Sequence, residues 1–262
     1  MDFTFNDQQQ QIRAAIEKLC LGFNADYWLD RDDSGEFPED FVQTLARDGW
    51  LGIAMPPEYG GAGLGITEAA LMMQTIAESG AAFSGASAVH MNVFGPHPIV
   101  VHGTEEQKRR MLVPLIKGED KACFGITEPD SGLNTAALKT RAERTGNGNY
   151  IVHGQKIWTS TAQVASKILL LARTTPAEQC KKALDGLSLF YTDFDRRYLT
   201  ATVIAKMGRK AVDSNQLFID GLPIPSEDLI GEEGKGFRYL LDGLNPERIL
   251  VAAEAIGVGR VA

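Results

Sequence analysis

Two short stretches decide how this sequence folds: Cys123-Phe-Gly-Ile-Thr-Glu-Pro-Asp-Ser-Gly-Leu-Asn134 and Lys156-Ile-Trp-Thr-Ser-Thr161. The first reads as a strand that runs into a glycine turn, whose exposed backbone N–H groups and Thr127 hydroxyl suit a pyrophosphate. The second sets an indole beside hydroxyl groups, which suits a flat heterocycle with polar edges. Viewed alone, each stretch is also compatible with an ordinary strand end.

The region around both stretches has the pattern of many short strands. It is rich in Ile, Val, Thr, Phe and Tyr, and several segments alternate apolar with polar residues. The pattern lacks crossover helices, which argues against a Rossmann domain and favours an antiparallel sandwich or barrel over residues 121–233. Gly146-Asn-Gly-Asn149 predicts a hairpin turn. The predicted strands are 121–127, 138–145, 149–154, 167–173, 187–193, 199–205 and 215–219.

The flanking regions read as helices, so the predicted fold class is α+β with several domains. We expect an all-helical N-terminal domain over residues 1–120 and the start of a C-terminal helical bundle over residues 234–262. A capping-box pattern predicts a helix over 105–117. Two capping boxes mark helix starts, Asn6 with Gln9 and Thr104 with Gln107.

The last segment carries two apolar stripes of helical period, Phe237 to Leu244 and Ile249 to Ile256. We expect an interruption between them at Asn245-Pro246, because proline lacks the backbone donor and crowds the preceding turn. No later helix covers the second stripe. We therefore expect either a truncated form of a longer protein or another subunit that supplies the cover.

Composition narrows the class of protein. The 262 residues give a prior of one to two domains, and 26 basic against 34 acidic residues give a net charge of −8. Such a chain is a poor candidate for binding nucleic acid through phosphates, and it has no apolar run long enough to span a membrane. Three separated cysteines and an N-terminus unlike a signal peptide predict a cytoplasmic protein.

The four histidines do not predict a metal site. Three of them fall between residues 90 and 102, but neither an HExxH motif nor a paired-carboxylate spacing accompanies them. We interpret all four as ordinary packing or surface residues. They are His90, His97, His102 and His153.

The two opening stretches, in this order and with this separation, resemble the flavin-binding signatures of the acyl-CoA dehydrogenase family. Three further segments agree with the family: the loop at 56–63, Met207-Gly-Arg209, and the glycine-rich 231–237. The resemblance covers essentially the whole chain. It implies a helical domain, a β-sandwich-like middle domain, a C-terminal four-helix domain that builds the subunit interface, and bound FAD.

The resemblance also implies site residues. In the second signature the indole of Trp158 flanks the flavin, and a hydroxyl reaches toward its reactive N5. One position departs from the family, because Leu133 stands where relatives often carry a serine that touches acyl-CoA, which leaves that contact to the backbone or Asn134. The implied FAD contacts are Phe124, Gly125, Ile126, Thr127, Gly132, Leu133, Trp158, Thr159 and Ser160; the implied substrate contacts are Leu133, Asn245 and Arg248.

The implied reaction is α,β-desaturation of an acyl-CoA thioester, in which a carboxylate removes the α-proton and the β-hydrogen leaves as hydride. Most relatives carry this base late in the C-terminal domain, but a minority carry it directly before an arginine on that domain's first helix. Glu247 precedes Arg248 at the matching place. The alternative is that Glu247 and Arg248 form a surface ion pair and the true base lies beyond this chain.

The resemblance implies a role in fatty-acid β-oxidation, with electrons passed to an electron-transfer flavoprotein, and a homo-oligomer, dimer or tetramer, when complete. One alternative is an acyl-CoA oxidase or flavin monooxygenase on the same fold. The other is a non-catalytic acyl-CoA-binding module left by truncation. Chain length and branching of the acyl group do not follow from the sequence.

Overall fold

The computed structural model describes residues 4–262, so residues 1–3 of the predicted first domain lie outside the described residues. Helices precede the sheet, and one long helix follows it, in the predicted order. The predicted domain limits at 120 and 233 remain predictions. The helices are α1 (Asp7–Cys20), α2 (Ala25–Ser34), α3 (Glu39–Arg47), α4 (Ile66–Ile76), α5 (Ala82–Val93), α6 (His97–His102), α7 (Glu105–Ile116) and α8 (Gly236–Val261).

Both predicted capping boxes are present. The Asn6 side chain accepts from Gln9 N at 2.8 Å, and Thr104 accepts from Gln107 N at 3.2 Å. In turn, each glutamine side chain accepts a hydrogen bond from the backbone N–H of the capping residue. These bonds satisfy N–H groups that have no partner inside a helix, so α1 and α7 begin where the sequence predicts.

The helical domain packs around an apolar core that includes Ile16, Phe41 and Met72. Helix α4 continues into a wide turn at Ala77–Ala81, where Gly80 has a φ of 98°, and α5 follows directly. This turn redirects the chain, and α4, the turn and α5 all contact α8.

The middle region forms one curled sheet. The strands run in the order β1-β4-β2-β3-β7-β6, and β5 pairs with the other side of β4. The predicted segments all contain strands, although β3 and β7 extend further than expected. The strands are β1 (Ala122–Gly125), β2 (Arg141–Arg144), β3 (Tyr150–Ser160), β4 (Lys167–Arg173), β5 (Leu187–Asp193), β6 (Leu199–Val203) and β7 (Ser214–Ile224).

The expectation of an antiparallel sheet needs one correction, because the sheet is mixed. Strand β1 runs parallel to β4, with Phe124 opposite Leu169, and Arg141 of β2 pairs in parallel with Arg173. The β2–β3 hairpin lies between β1 and β4 in the sequence. After this hairpin the chain enters β4 in the same direction as β1, without a crossover helix. The strand pattern predicts strands but not their order.

Helix α8 runs through Pro246 without a break, so the predicted interruption at Asn245-Pro246 is wrong. The helix packs closely on both sides of the proline. A Cβ on Gly243 would lie 3.0 Å from Pro98, and one on Gly257 would lie 2.4 Å from the Gln74 carbonyl. Tertiary packing on the N-terminal helices therefore outweighs the proline's local preference. In residues 4–262 no helix combines the length and apolarity that crossing a bilayer demands.

Candidate active site

The structure brings the two opening stretches side by side. Ile157 N donates to the Thr127 carbonyl at 2.9 Å. The buried Lys156 ammonium donates to the carbonyls of Ile126 at 3.1 Å and Leu171 at 2.8 Å. The end of β1, the middle of β3 and strand β4 are thereby joined at one point.

A buried ion pair completes this junction. Lys156 Nζ lies 3.0 Å from Glu128 Oε1, and the two side chains are 0% and 6% exposed. Glu128 also accepts from the backbone N–H groups of Lys139 at 2.7 Å and Thr140 at 2.9 Å. Burial lowers the pKa of Lys156 to about 8, although the Glu128 carboxylate opposes this. Burial raises the pKa of Glu128, but Lys156 and the bonds from 139–140 more than offset it, so that pKa lies below its usual value.

A β-bulge turns Trp158 outward. Lys156 pairs with Leu217 and Thr159 with Asn215, so β3 has one residue more than β7 in this stretch. Trp158 takes up the extra length with a φ of 62°, and its indole is 60% exposed. A bulge re-aims side chains, and here it places an aromatic face at the surface directly beside the end of β1.

The three implied contacts of the second signature do not share one face. Thr159 is buried, and its hydroxyl has no hydrogen-bond partner in the described residues. Its carbonyl accepts from Asn215 Nδ2 at 3.0 Å. Ser160 is half-buried, and its hydroxyl lies 3.5 Å from the Arg209 guanidinium. The structure therefore offers the indole of Trp158 and the hydroxyl of Ser160 to a ligand.

The first signature splits into a packed strand and an exposed turn. Gly125 is buried, and a Cβ there would lie 2.8 Å from Leu170 and 2.9 Å from Ile168, so this glycine serves the sheet interior. Phe124, Ile126 and Thr127 are half-buried.

The turn closes through paired bonds between the backbones of Glu128 and Ser131 at 3.1 and 3.0 Å. The Ser131 hydroxyl donates to the Asn134 carbonyl at 2.6 Å. Gly132 and Leu133 stand outside the turn and are exposed. The turn thus presents backbone and a leucine side chain to solvent.

Arg209 links the sheet to the helical domain. Its guanidinium donates to Ser87 Oγ on α5 at 2.9 Å and to Ser214 Oγ at 3.3 Å, and it reaches Ser160 at the end of β3. Burial lowers the Arg209 pKa, and Glu254 opposes this. In the sequence, Arg209 stands out only as part of the segment 207–209 that resembles the family. Nothing there indicates that it joins α5 to the sheet.

His90 lies one helical turn beyond Ser87 on α5, and both of its ring nitrogens meet carboxylates of α8. Nδ1 lies 2.7 Å from Glu254 Oε1, and Nε2 lies 2.9 Å from Glu247 Oε1. Burial by itself lowers the pKa of His90. The hydrogen bonds and charges of Glu247 and Glu254 outweigh this effect and raise the pKa from 6.5 to about 9. The interpretation of all four histidines as ordinary packing or surface residues therefore does not describe His90.

Glu247 carries a free oxygen inside the protein. Its side chain is 17% exposed, and Oε2 is buried without a hydrogen-bond partner among the described residues. Arg248 instead donates to Asn245 Oδ1 at 2.5 Å, and both of these residues are exposed. The alternative of a surface ion pair between Glu247 and Arg248 is therefore wrong. A buried carboxylate with one open oxygen can accept a proton from a bound molecule.

The exposed C-terminal end of β3 fits a flavin. A flat tricyclic ring needs an apolar face and polar groups at its rim, and Trp158 and Ser160 supply these next to the backbone of Thr127. Met207, on the loop that carries Arg209, is fully exposed. The donors here are hydroxyl and backbone groups, with the Arg209 guanidinium 3.5 Å from the Ser160 hydroxyl.

Comparisons with known proteins identify the relatives of the chain. Residues 6–119 match the acyl-CoA dehydrogenase N-terminal domain, and residues 123–222 match the acyl-CoA dehydrogenase middle domain. The acyl-CoA dehydrogenase FadE12 of Mycobacterium tuberculosis is 32% identical over 264 residues, covering 99% of this chain and 66% of the relative.

Two solved structures share the fold over the whole chain. Butyryl-CoA dehydrogenase from Megasphaera elsdenii is 27% identical with a TM-score of 0.91, and the match covers 68% of its chain. A chain in the structure reported for the electron transferring flavoprotein of Acidaminococcus fermentans is 28% identical with a TM-score of 0.92, and 67% of it is covered. The chain thus spans about two thirds of the length of the relatives it matches.

Proposed function

Because the chain belongs to the acyl-CoA dehydrogenase family, we propose that it carries the flavin site and the catalytic base of an enzyme that desaturates acyl-CoA thioesters between the α and β carbons. Members of this family are FAD-dependent oxidoreductases. Bound FAD supplies the acceptor for the β-hydride. The activity of the protein, its substrate and its partners are parts of this proposal.

The proposed flavin site lies along the C-terminal end of β3 and the end of β1. Trp158 would hold the ring through its aromatic face, and Ser160 would offer its hydroxyl to a polar group of the ring. Thr159 contributes through its backbone, since its side chain is buried. The backbone around Gly132 and the Thr127 hydroxyl serve the ribityl and pyrophosphate part.

The proposed base is Glu247. The observation that carries this assignment is its buried Oε2 atom, which has no hydrogen-bond partner within residues 4–262, while Oε1 is held by His90. In the proposed step the Cα–H bond of the thioester breaks, its electron pair stays with the substrate, and the proton moves to Oε2. Asn245, Arg248 and Leu133 are the proposed substrate contacts, and the pair 245 and 248 suits polar or anionic parts of acyl-CoA.

The test is anaerobic titration of the FAD-loaded chain with acyl-CoAs of several lengths. We expect the flavin absorbance to bleach with at least one of them, and Glu247→Gln to remove the bleaching. Asp242→Asn is the matched control, because Asp242 also lies on α8 and also pairs with a histidine, His102, at 2.6 Å. Bleaching that survives in Glu247→Gln would overturn the assignment of the base. A colourless protein that cannot be loaded with FAD would leave only the binding-module alternative.

The proposed electron acceptor is an electron-transfer flavoprotein, as the similarity to a chain in such a flavoprotein's structure supports. The oxidase alternative has its own support, since the prolyl acyl carrier protein oxidase AnaB shares the fold at 26% identity and a TM-score of 0.90. Reduced flavin that persists in air until an electron-transfer flavoprotein is added supports the dehydrogenase. Rapid reoxidation by oxygen with hydrogen peroxide release supports the oxidase.

The proposed assembly is a homo-oligomer. Helix α8 exposes apolar side chains on its outer face, with Ile249 50% and Ile256 54% exposed. Apolar residues so arranged on one helix face are typical of a surface that another element covers. Light scattering of the FAD-loaded protein distinguishes a monomer from a dimer or tetramer.

A further inference from the structure

The arrangement around His90 fixes the charge of its ring. An ionised carboxylate offers only acceptors, and each ring nitrogen of His90 faces one carboxylate oxygen, at 2.7 and 2.9 Å. Both nitrogens must then donate, which makes the ring an imidazolium. One positive charge is thus enclosed between Glu247 and Glu254, whose side chains are 17% and 3% exposed.

The ionisable groups that act on the ring are these two glutamates, both on α8. Arg209, from the loop between β6 and β7, acts in turn on Glu254. Positions 247 and 254 are two helical turns apart, so both carboxylates lie on the same face of α8. A single helix, α8, therefore binds both ring nitrogens of His90.

We propose that His90 is a positioning residue for Glu247, and that Glu254 holds the His90 ring in place for this purpose. This inference rests on the proposed function. The bond to Oε1 fixes the carboxylate plane of Glu247, which leaves Oε2 as the oxygen that faces a substrate. The positive ring also places a counter-charge 2.9 Å from the carboxylate of Glu247.

The charge of the group supports this role. The three side chains carry a net charge of −1 before the reaction, from two carboxylates and one imidazolium. When the substrate α-proton bonds to Oε2, the net charge becomes zero, and Oε1 still accepts from His90. The hydrogen bonds therefore need no rearrangement during the step, as catalysis by preorganised groups requires.

A purely structural clamp between α5 and α8 is the competing account. The chain contains such a clamp for comparison, since His102 on α6 pairs with Asp242 of α8 at 2.6 Å, and Asp242 is 44% exposed. A clamp needs one carboxylate on the ring. It does not need a second carboxylate whose other oxygen is buried and left open.

The first test is an NMR titration of the histidine rings in the FAD-loaded chain. The chain has only four histidines, and variants at the other three assign the His90 signals without altering that site. We expect two N–H protons on His90 at pH 7 and a pKa of about 9. Glu254→Gln should lower that pKa. A ring with one N–H proton at pH 7 would overturn the proposal, and this result needs no catalytic activity.

The second test compares His90→Gln with His102→Gln in anaerobic flavin reduction by an acyl-CoA. Without the ring, Glu247 Oε1 loses the bond that fixes its carboxylate plane, so Oε2 is less often aligned with the substrate α-proton. We expect the limiting rate to fall at least about tenfold, while the dissociation constant of the acyl-CoA stays within about threefold. His102→Gln should match the parent protein in both respects.

The outcomes separate the two proposals. If Glu247→Gln abolishes reduction and His90→Gln leaves the limiting rate unchanged, Glu247 is the base and the positioning role is refuted. If Glu247→Gln still reduces the flavin, the proposed base itself fails. If His90→Gln does not fold, the same comparison is made with Glu254→Gln, which should lower the limiting rate, and an unchanged rate would refute the role.

Discussion

Two of the places where the protein buries ionic groups differ in how completely their atoms are bonded. In the sheet, the Lys156 ammonium has three acceptors, and both oxygens of Glu128 are bonded. Between α5 and α8, both ring nitrogens of His90 are bonded, but Glu247 Oε2 has no partner in the part of the chain that the structure describes. A closed set of bonds fixes a structure, whereas an open buried oxygen costs stability unless a ligand uses it. The bonded ion pair therefore stabilises the sheet, and the open oxygen is consistent with the proposed role of Glu247 as the base.

Removing the charge of the closed site should have the largest effect on stability. Lys156→Met leaves Glu128 buried without its counter-charge, which costs about 3–5 kcal/mol of the free energy of unfolding. Urea unfolding followed by fluorescence measures this change. Lys139→Met is the matched control, because Lys139 pairs with Asp130 in an exposed position and should lose less than about 0.5 kcal/mol. A loss below about 1 kcal/mol for Lys156→Met would remove the distinction between the sites.

At Glu247 we expect the reverse, a large effect on the rate of flavin reduction and a small effect on stability. Glu247→Gln keeps the shape of the side chain and an acceptor for His90 but removes the base. We expect the rate of flavin reduction to fall by about 10²–10⁴ and the free energy of unfolding to change by about 1 kcal/mol or less. Stopped-flow reduction and urea unfolding of the same preparation test both halves. A variant that unfolds far more easily than the parent would place Glu247 in the architecture instead.

The pH dependence of stability should reveal the charged ring. Folding raises the His90 pKa from its ordinary 6.5 to about 9, so the folded chain binds the extra proton more tightly than the unfolded chain. The stabilisation is fully present below pH 6.5 and is lost as the pH rises through 9. Urea midpoints measured from pH 6 to pH 9 should fall in the parent protein and fall less in His90→Gln. Parallel curves for the two proteins would contradict a charged His90.

The strands could be predicted from the sequence because period and residue type act locally. The parallel pairing of β1 with β4 was not predicted, since it depends on how the intervening hairpin folds back. The bulge that separates Trp158 from Thr159 in orientation also escaped a strict alternation rule. The interruption predicted at Pro246 is absent from α8, because packing around Gly243 and Gly257 outweighs a local helix breaker.

The site residues that were missed are those whose meaning depends on a distant partner. His90 and Glu254 are 164 positions apart, and neither stands in a recognisable motif. One signal was present, since Glu247 and Glu254 are seven residues apart on a face that also carries Leu250, and a carboxylate in such a stripe needs a counter-charge. Glu128 and Lys156 belonged to the quoted stretches, but nothing in either stretch indicates that they meet.

We expect the smallest effect at Leu133, in the exposed turn that follows the buried Glu128. Leu133 is fully exposed, and relatives often carry serine there, so Leu133→Ser should leave the free energy of unfolding within about 0.5 kcal/mol. A new hydroxyl able to bond acyl-CoA is worth about 1 kcal/mol, or roughly a fivefold gain in affinity. Equilibrium binding of a non-reducible acyl-CoA analogue to the FAD-loaded protein measures this, with Leu133→Ala as the control for lost apolar contact. Equal affinity in the serine and alanine variants would show that Leu133 lies outside the acyl-CoA path, and it would leave the turn as a purely structural extension of the closed site.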